Sequence, residues 1–225
     1  DTDIKKAAEG VARSAFGYSG QKCSACSVVV VEDSVHDKFV TELVSFTKTL
    51  RLGEGSDTNC FTGPVINEDS VNKIMSYIEL GKKDGKLLLG GTRPETINGN
   101  HGYYIEPTIF TGLPDNSRLF KEEIFGPVLA IRKAKGFEDA LKIANSTDYG
   151  LTGGIFTQSQ SIKEAAVRFF HVGNLYINKV TGGSTGAMVG RQPFGGFNMS
   201  GTNSKAGGPN YLYLFMQEKA VADMS

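Results

Sequence analysis

The sequence predicts an α/β domain built on a mostly parallel sheet, and three observations point there. Helix-period and strand-type patterns alternate over most of the chain. The strand-type runs are short and rich in Val, Ile and Leu. The chain's 225 residues are 40% hydrophobic and 21% charged, an ordinary globular composition with enough volume for a real core.

The elements follow in order. Ile4, Ala7, Ala8, Val11, Ala12 and Ala15 fall on 3,4 spacing behind Asp3, a ready N-cap, so a helix opens the chain. Residues 27–32 form a continuous apolar run suited to a strand buried on both faces. Phe39, Leu43, Phe46 and Leu50 mark one helix face; Val71, Ile74, Met75 and Ile78 mark another, ending at Gly81. Residues 86–89 and 103–110 read as strands, the second interrupted by Pro107. Residues 128–131 form a strand, followed by a helix carrying Phe137, Ala140, Leu141 and Ala144. A strand at 154–157, a helix with Ile162, Ala165, Ala166 and Phe169, and a strand at 175–177 complete the alternation.

Residues 181–209 break the pattern, with nine glycines and no helical period. A stretch this long without regular structure is uncommon in a compact domain unless it is functional. Linkers rarely carry residues such as Met188, Val189, Phe194 and Phe197, so a binding loop packed on the domain is the preferred reading. Residues 211–222, rich in Tyr, Leu and Phe, have the character of a final strand.

Several function classes are disfavoured at once. The 24 basic and 24 acidic side chains cancel, which argues against a phosphate-binding surface. No apolar run approaches the roughly 18 residues of a membrane span. Three cysteines cannot build a disulfide scaffold, so a reducing compartment is expected: the cytoplasm, or the mitochondrial matrix in a eukaryote. The chain opens on Asp1-Thr2-Asp3 and runs straight into a helix, which reads as a fragment or excised domain.

Chemistry centres on Gly20-Gln21-Lys22-Cys23-Ser24-Ala25-Cys26, between a helix end and a strand start. Cys23-x-x-Cys26 could be a dithiol pair, but that motif normally precedes a helix, whose N-terminus stabilises the thiolate; here the order is reversed. Zinc would need further ligands, and His36, His101 and His171 stand at non-motif spacings. Two readings remain: a small buried cysteine before a strand, or a lone thiol nucleophile in a glycine-flanked loop.

Phe16-x-x-x-Gly20-Gln21-x-Cys23 resembles the cysteine signature of the NAD(P)-dependent aldehyde dehydrogenase superfamily. Four further motifs follow in family order: Gly63-Pro64-Val65-Ile66, Glu122-Glu123-Ile124-Phe125-Gly126-Pro127-Val128, Gly173-Asn174-Leu175-Tyr176-Ile177-Asn178, and Pro193-Phe194-Gly195-Gly196. The stretch from Gln21 to Cys26, and the run from Gly190-Arg191-Gln192 through Ser200-Gly201-Thr202-Asn203 to Gly208-Pro209, resemble the 1-pyrroline-5-carboxylate dehydrogenase branch, which oxidises glutamate semialdehyde to glutamate.

The resemblance implies the three-layer catalytic domain of that fold over residues 1–210, with residues 211–225 as a C-terminal oligomerisation strand. It implies NAD as cofactor, a small aldehyde as substrate and a homo-oligomer, with no nucleic-acid or membrane partner. Cys23 becomes the nucleophile that forms a thiohemiacetal and then a thioester, its own N–H helping to hold the oxyanion. Glu123 accepts from the nicotinamide ribose, and Phe125 packs beside the cofactor. Ser24, Gly186 and Ala187 meet the substrate carboxylate and ammonium, and Phe194 packs on the aliphatic part. Some relatives carry serine where Ala187 stands, which leaves only an amide there. The dinucleotide-binding domain of the family, with its deacylating glutamate and oxyanion asparagine, has no match in the chain, and no GxGxxG unit occurs. Two other readings remain: a relative acting on a different aldehyde, and a non-catalytic oligomerisation module.

Overall fold

Helix α1 (Ile4–Phe16) begins where Asp3 caps it, the carboxylate accepting from the Lys6 N–H at 3.1 Å. Its Ala7, Ala8, Val11, Ala12 and Ala15 are buried, and these small side chains let α2 (His36–Thr47) pack closely through Phe39 and Leu43. The computed structural model describes residues 1–186, 188, 191–201 and 206–225. Between the two helices runs β1 (Val28–Glu32). The chain continues through α3 (Glu68–Asp84), β2 (Lys86–Leu89) and a small hairpin, β3 (Thr96–Ile97) with β4 (Asn100–His101). Next come β5 (Thr108–Thr111), the short α4 (Arg118–Lys121), β6 (Val128–Ala134) and α5 (Phe137–Ala144). Last are β7 (Thr152–Ile155), α6 (Gln160–Phe169) and β8 (Asn174–Ile177).

The main sheet has the order β1-β6-β5-β2, and β7 pairs with β8 in a separate two-stranded sheet. The β1–β6, β5–β6 and β7–β8 pairs are parallel. The β2–β5 and β3–β4 pairs are antiparallel. The expected mostly parallel α/β architecture is therefore present.

Side-chain alternation along β5 and β6 builds three layers. Ile109 stands opposite Leu129 in the ladder, and with Ile131 they meet α1 and α2 on one face. Phe110 stands opposite Ala130, and with Val128 they meet Val71, Ile74 and Ile78 of α3 on the other. Each face thus buries its own cluster, and the central strand reads as a continuous apolar run because both faces are covered.

Three expectations need correction. Strand β1 is not buried on both faces: Val31 alone is fully buried, because β1 is an edge strand whose free side borders a cavity of about 990 Å³. The strand expected over 103–110 shrinks to Thr108–Thr111, since Pro107 has no N–H to give a ladder. Helix α3 passes Gly81 and ends at Asp84, where Gly85 follows. The C-terminal strand is expected to pair with a neighbouring subunit, which a single chain does not contain. Tyr211–Phe215 makes a 3₁₀ turn, and no later residue joins a sheet, because a strand needs a ladder partner. At the start of the 181–209 stretch Gly182, Gly183, Ser184 and Thr185 are buried, while Met188 and Phe197 further along are exposed.

Among the described residues no helix is long and apolar enough to cross a membrane. No group of His, Cys, Asp and Glu among them could hold a metal ion.

Leu43 is fully buried where α2 meets α1 and the sheet. Leu43→Ala should lower unfolding stability by about 2–5 kcal/mol through lost burial and a residual cavity. In urea denaturation the midpoint should fall while the m-value holds.

Candidate active site

The cysteine turn is shaped by its backbone. After Phe16 the chain reverses through Tyr18, Ser19 and Gly20, with φ of 59°, 56° and 67°. Only glycine fits the third position. A Cβ on Gly20 would collide with the Gly126 carbonyl, so the absence of a side chain brings the cysteine turn onto the 122–128 loop. The Gly63-Pro64-Val65-Ile66 motif holds the turn from another side. Ser19 N–H donates to Thr62 Oγ1 at 2.9 Å, Ser19 Oγ to Gly63 O at 2.5 Å, and Ile66 N–H to Gln21 Oε1 at 2.9 Å.

Cys23 is exposed at the tip of this turn, while Cys26 is half-buried with its sulfur 3.4 Å from Val28 O. Burial pushes the Cys26 thiol up to about 12, so it stays protonated at neutral pH. The two cysteines of the motif therefore differ in kind. Cys60 lies apart, on the 51–62 loop, its thiol raised by burial and by Asp57.

The 122–128 loop alternates its residues in and out. Ile124 and Gly126 are buried; Glu123 is exposed, and Phe125 is 43% exposed with φ of 59°. A non-glycine residue in that conformation needs a firm surround. Lys73 Nζ of α3 donates to Glu123 O at 2.9 Å. Arg118 grips Glu122 through Nε at 2.7 Å and Nη2 at 2.8 Å, and Tyr77 Oη donates to it at 2.5 Å. The Arg118 and Tyr77 bonds hold the Glu122 carboxyl down at about 2. Cys23, Glu123 and Phe125 all border the 990 Å³ cavity.

Ser24 is buried directly behind the cysteine. Its carbonyl accepts from Ser184 Oγ at 3.2 Å, and the Ser184 and Ser14 hydroxyls are 2.9 Å apart. This short polar chain ties α1, the cysteine turn and the glycine-rich loop together. Gly186 is exposed with φ of 87°, two residues beyond Ser184. Phe194 is half-buried and bridges Ala206 through two backbone bonds of 2.7 Å. Ser24, Gly186 and Phe194 do not border the large cavity, and Ala187 lies outside the described residues.

The last two motifs meet each other as well. Asn174 Nδ2 donates to Pro193 O at 3.1 Å, and Gly150 O accepts from both Gly173 and Phe197. Asn178, at φ of 54°, clasps Thr157 with two side-chain bonds of 2.9 Å and so fixes the end of β8 beside β7. Sequence reasoning missed Lys73, Arg118, Tyr77, Ser14 and Ser184. The Arg118–Glu122 pair has a readable signal in its i,i+4 spacing. The others act across tens of residues, and nothing local marks them.

A family model described as "Aldehyde dehydrogenase family" matches residues 1–221. The chain is 54% identical over 223 residues to a 1-pyrroline-5-carboxylate dehydrogenase of Bacillus subtilis (strain 168), covering 99% of the chain and 42% of the relative. It is 51% identical over 224 residues to the enzyme of that name from Geobacillus sp. (strain WCH70), covering 100% and 42%. Among solved structures, it is similar to a 1-pyrroline-5-carboxylate dehydrogenase from Thermus with bound NAD. That match has a TM-score of 0.91 and 46% identity over 99% of the chain and 42% of the other. The chain thus spans about 42% of the length of these relatives.

Exposure separates the thiols cleanly. Brief iodoacetamide treatment of the folded chain at neutral pH should label Cys23 and spare Cys26, as read by peptide mass mapping. Preferential labelling of Cys26 or Cys60 would remove Cys23 as the reactive thiol.

Proposed function

The chain belongs to the aldehyde dehydrogenase family, and on that premise we propose that it supplies the cysteine-bearing catalytic part, residues 1–210, of an NAD-dependent enzyme. The reaction is oxidation of L-glutamate 5-semialdehyde, the open form of 1-pyrroline-5-carboxylate, to L-glutamate in proline catabolism. The observation that carries this reading is the shared cavity wall: an exposed thiol, Cys23, faces the same space as Glu123 and Phe125. The match to 1-pyrroline-5-carboxylate dehydrogenases along the whole chain supports the choice of substrate.

Cys23 attacks the aldehyde carbon as thiolate, and the oxygen takes a proton to give a thiohemiacetal. Loss of hydride and the hydroxyl proton leaves a thioester, and water then displaces the sulfur, releasing glutamate and the free thiol. Thiolate serves both ends of this sequence, being strongly nucleophilic and a good leaving group. The Cys23 N–H is assigned to help hold the developing oxyanion. An exposed carboxylate two residues from an exposed ring fits a ribose diol and a nicotinamide face, so Glu123 and Phe125 are assigned to NAD. When bound, NAD takes up the hydride. Ser24, Gly186, Ala187 and Phe194 are assigned to the amino-acid end of the substrate. The bacterial relatives support a cytoplasmic site of action.

A chimera tests the assignment: the chain replaces the matching segment of the Bacillus subtilis relative. The 225-residue chain alone should give no NADH with glutamate semialdehyde, and the chimera should restore turnover. Cys23→Ala should then reduce it by at least roughly a thousandfold. A chimera that oxidises other aldehydes and spares the semialdehyde would assign the chain to another branch of the family.

The tail is assigned to an interface between subunits. Leu212, Tyr213, Phe215 and Met216 are 65–73% exposed, an apolar density that monomer surfaces seldom carry. Deleting residues from 212 onward should lower the subunit count of the chimera in sedimentation. An unchanged count would place the interface elsewhere.

A further inference from the structure

Lys179 stands two residues beyond β8, and both of its ends hold the glycine-rich loop. Its carbonyl accepts from the Gly183 N–H at 2.9 Å. Its ammonium donates to Thr185 O and, at 3.4 Å, to Gly186 O. The same ammonium lies 4.2 Å from the centre of the Tyr176 ring, whose face attracts a cation and fixes the side chain's course. A Cβ on Gly186 would stand 2.7 Å from Nζ, so glycine at φ of 87° is what lets the amine come this close. Burial draws the amine below the ordinary lysine range, a sign that it sits under the loop rather than in free solvent.

We propose that Lys179 is a positioning residue for carboxylate recognition, acting through the Gly186 backbone; this rests on the assignment of Gly186 to the substrate carboxylate. The reason is peptide geometry. A trans peptide points its C=O and N–H in opposite directions, so holding Thr185 O turns the Gly186 N–H away from the lysine. Gly186 is exposed, so a ligand can approach this peptide from the solvent side. A cation on the carbonyl also polarises the peptide and makes its N–H a stronger donor. The loop thereby presents an anion-directed amide with the positive charge behind it. An amino-acid aldehyde gains from this arrangement, and a neutral aldehyde does not.

The chimera described above, with and without Lys179→Met, tests this using glutamate semialdehyde and pentanal. Pentanal has the same number of carbons and neither carboxylate nor ammonium. The variant should raise KM for the semialdehyde about tenfold at unchanged kcat, the size of one weakened charge-assisted hydrogen bond. Its kinetics with pentanal should not move. An equal rise in KM for both aldehydes would reduce Lys179 to a structural prop and overturn the proposal, as would no rise for either. A parent chimera active on pentanal and inactive on the semialdehyde would remove the substrate assignment itself, and this inference with it. A second reading needs no turnover. Calorimetric titration of the 225-residue chain with L-glutamate should show about tenfold weaker binding in Lys179→Met, and equal affinity would overturn the proposal.

Discussion

The contact on which the site depends is backbone against backbone, Gly20 on Gly126. Gly20 is held at φ of 67° with no room for a side chain, so the turn that carries Cys23 rests directly on the loop that carries Glu123 and Phe125. Any larger residue would prise the two apart, since its Cβ would stand 2.2 Å from the Gly126 carbonyl oxygen. Two segments about a hundred residues apart in sequence thus become one surface. The ladder beneath keeps them in register: β1 follows the cysteine turn, β6 follows the 122–128 loop, and the two strands run parallel side by side. Parallel pairing places both preceding loops at the same end of the sheet.

Polar anchors then fix what the sheet only places roughly. Glu122 is clamped by Arg118 and Tyr77, and Lys73 holds the next carbonyl. With that side of the loop committed to α3 and α4, Glu123 and Phe125 are left on the cavity side, and Phe125 keeps a left-handed conformation it would otherwise leave. On the opposite side, the Ser14–Ser184–Ser24 chain ties the glycine-rich loop to the back of the cysteine turn. The Ser14–Ser184–Ser24 bonds are buried and the Tyr77–Glu122 bond is half-buried, where an unpaired partner would be costly, so these anchors resist local opening.

Selectivity between the two thiols needs no separate device. Cys26 lies two residues before the edge strand and loses its water to the core, while Cys23, three residues earlier, stays on the turn. The same step from turn to strand that builds the sheet therefore divides one exposed sulfur from one inert one.

The alternation of elements, the Asp3 cap and the β6 core run were legible in the sequence, because each rests on local periodicity or on turn chemistry. The five motifs were legible as a family pattern, and the structure gives their physical ground: each docks on another motif or on the sheet end that bears the site. Other features followed from neighbours that lie far away in the chain. The sequence could not reveal that β1 is an edge strand, since an apolar run looks alike with one covered face or two. It could not place Ser14 beside Ser184, or Lys179 beneath Gly186. The tail reads as a strand by composition and makes a 3₁₀ turn in the single chain, because pairing needs an edge that local propensity cannot supply. Local chemistry determined which elements form; long-range packing decided which of them meet.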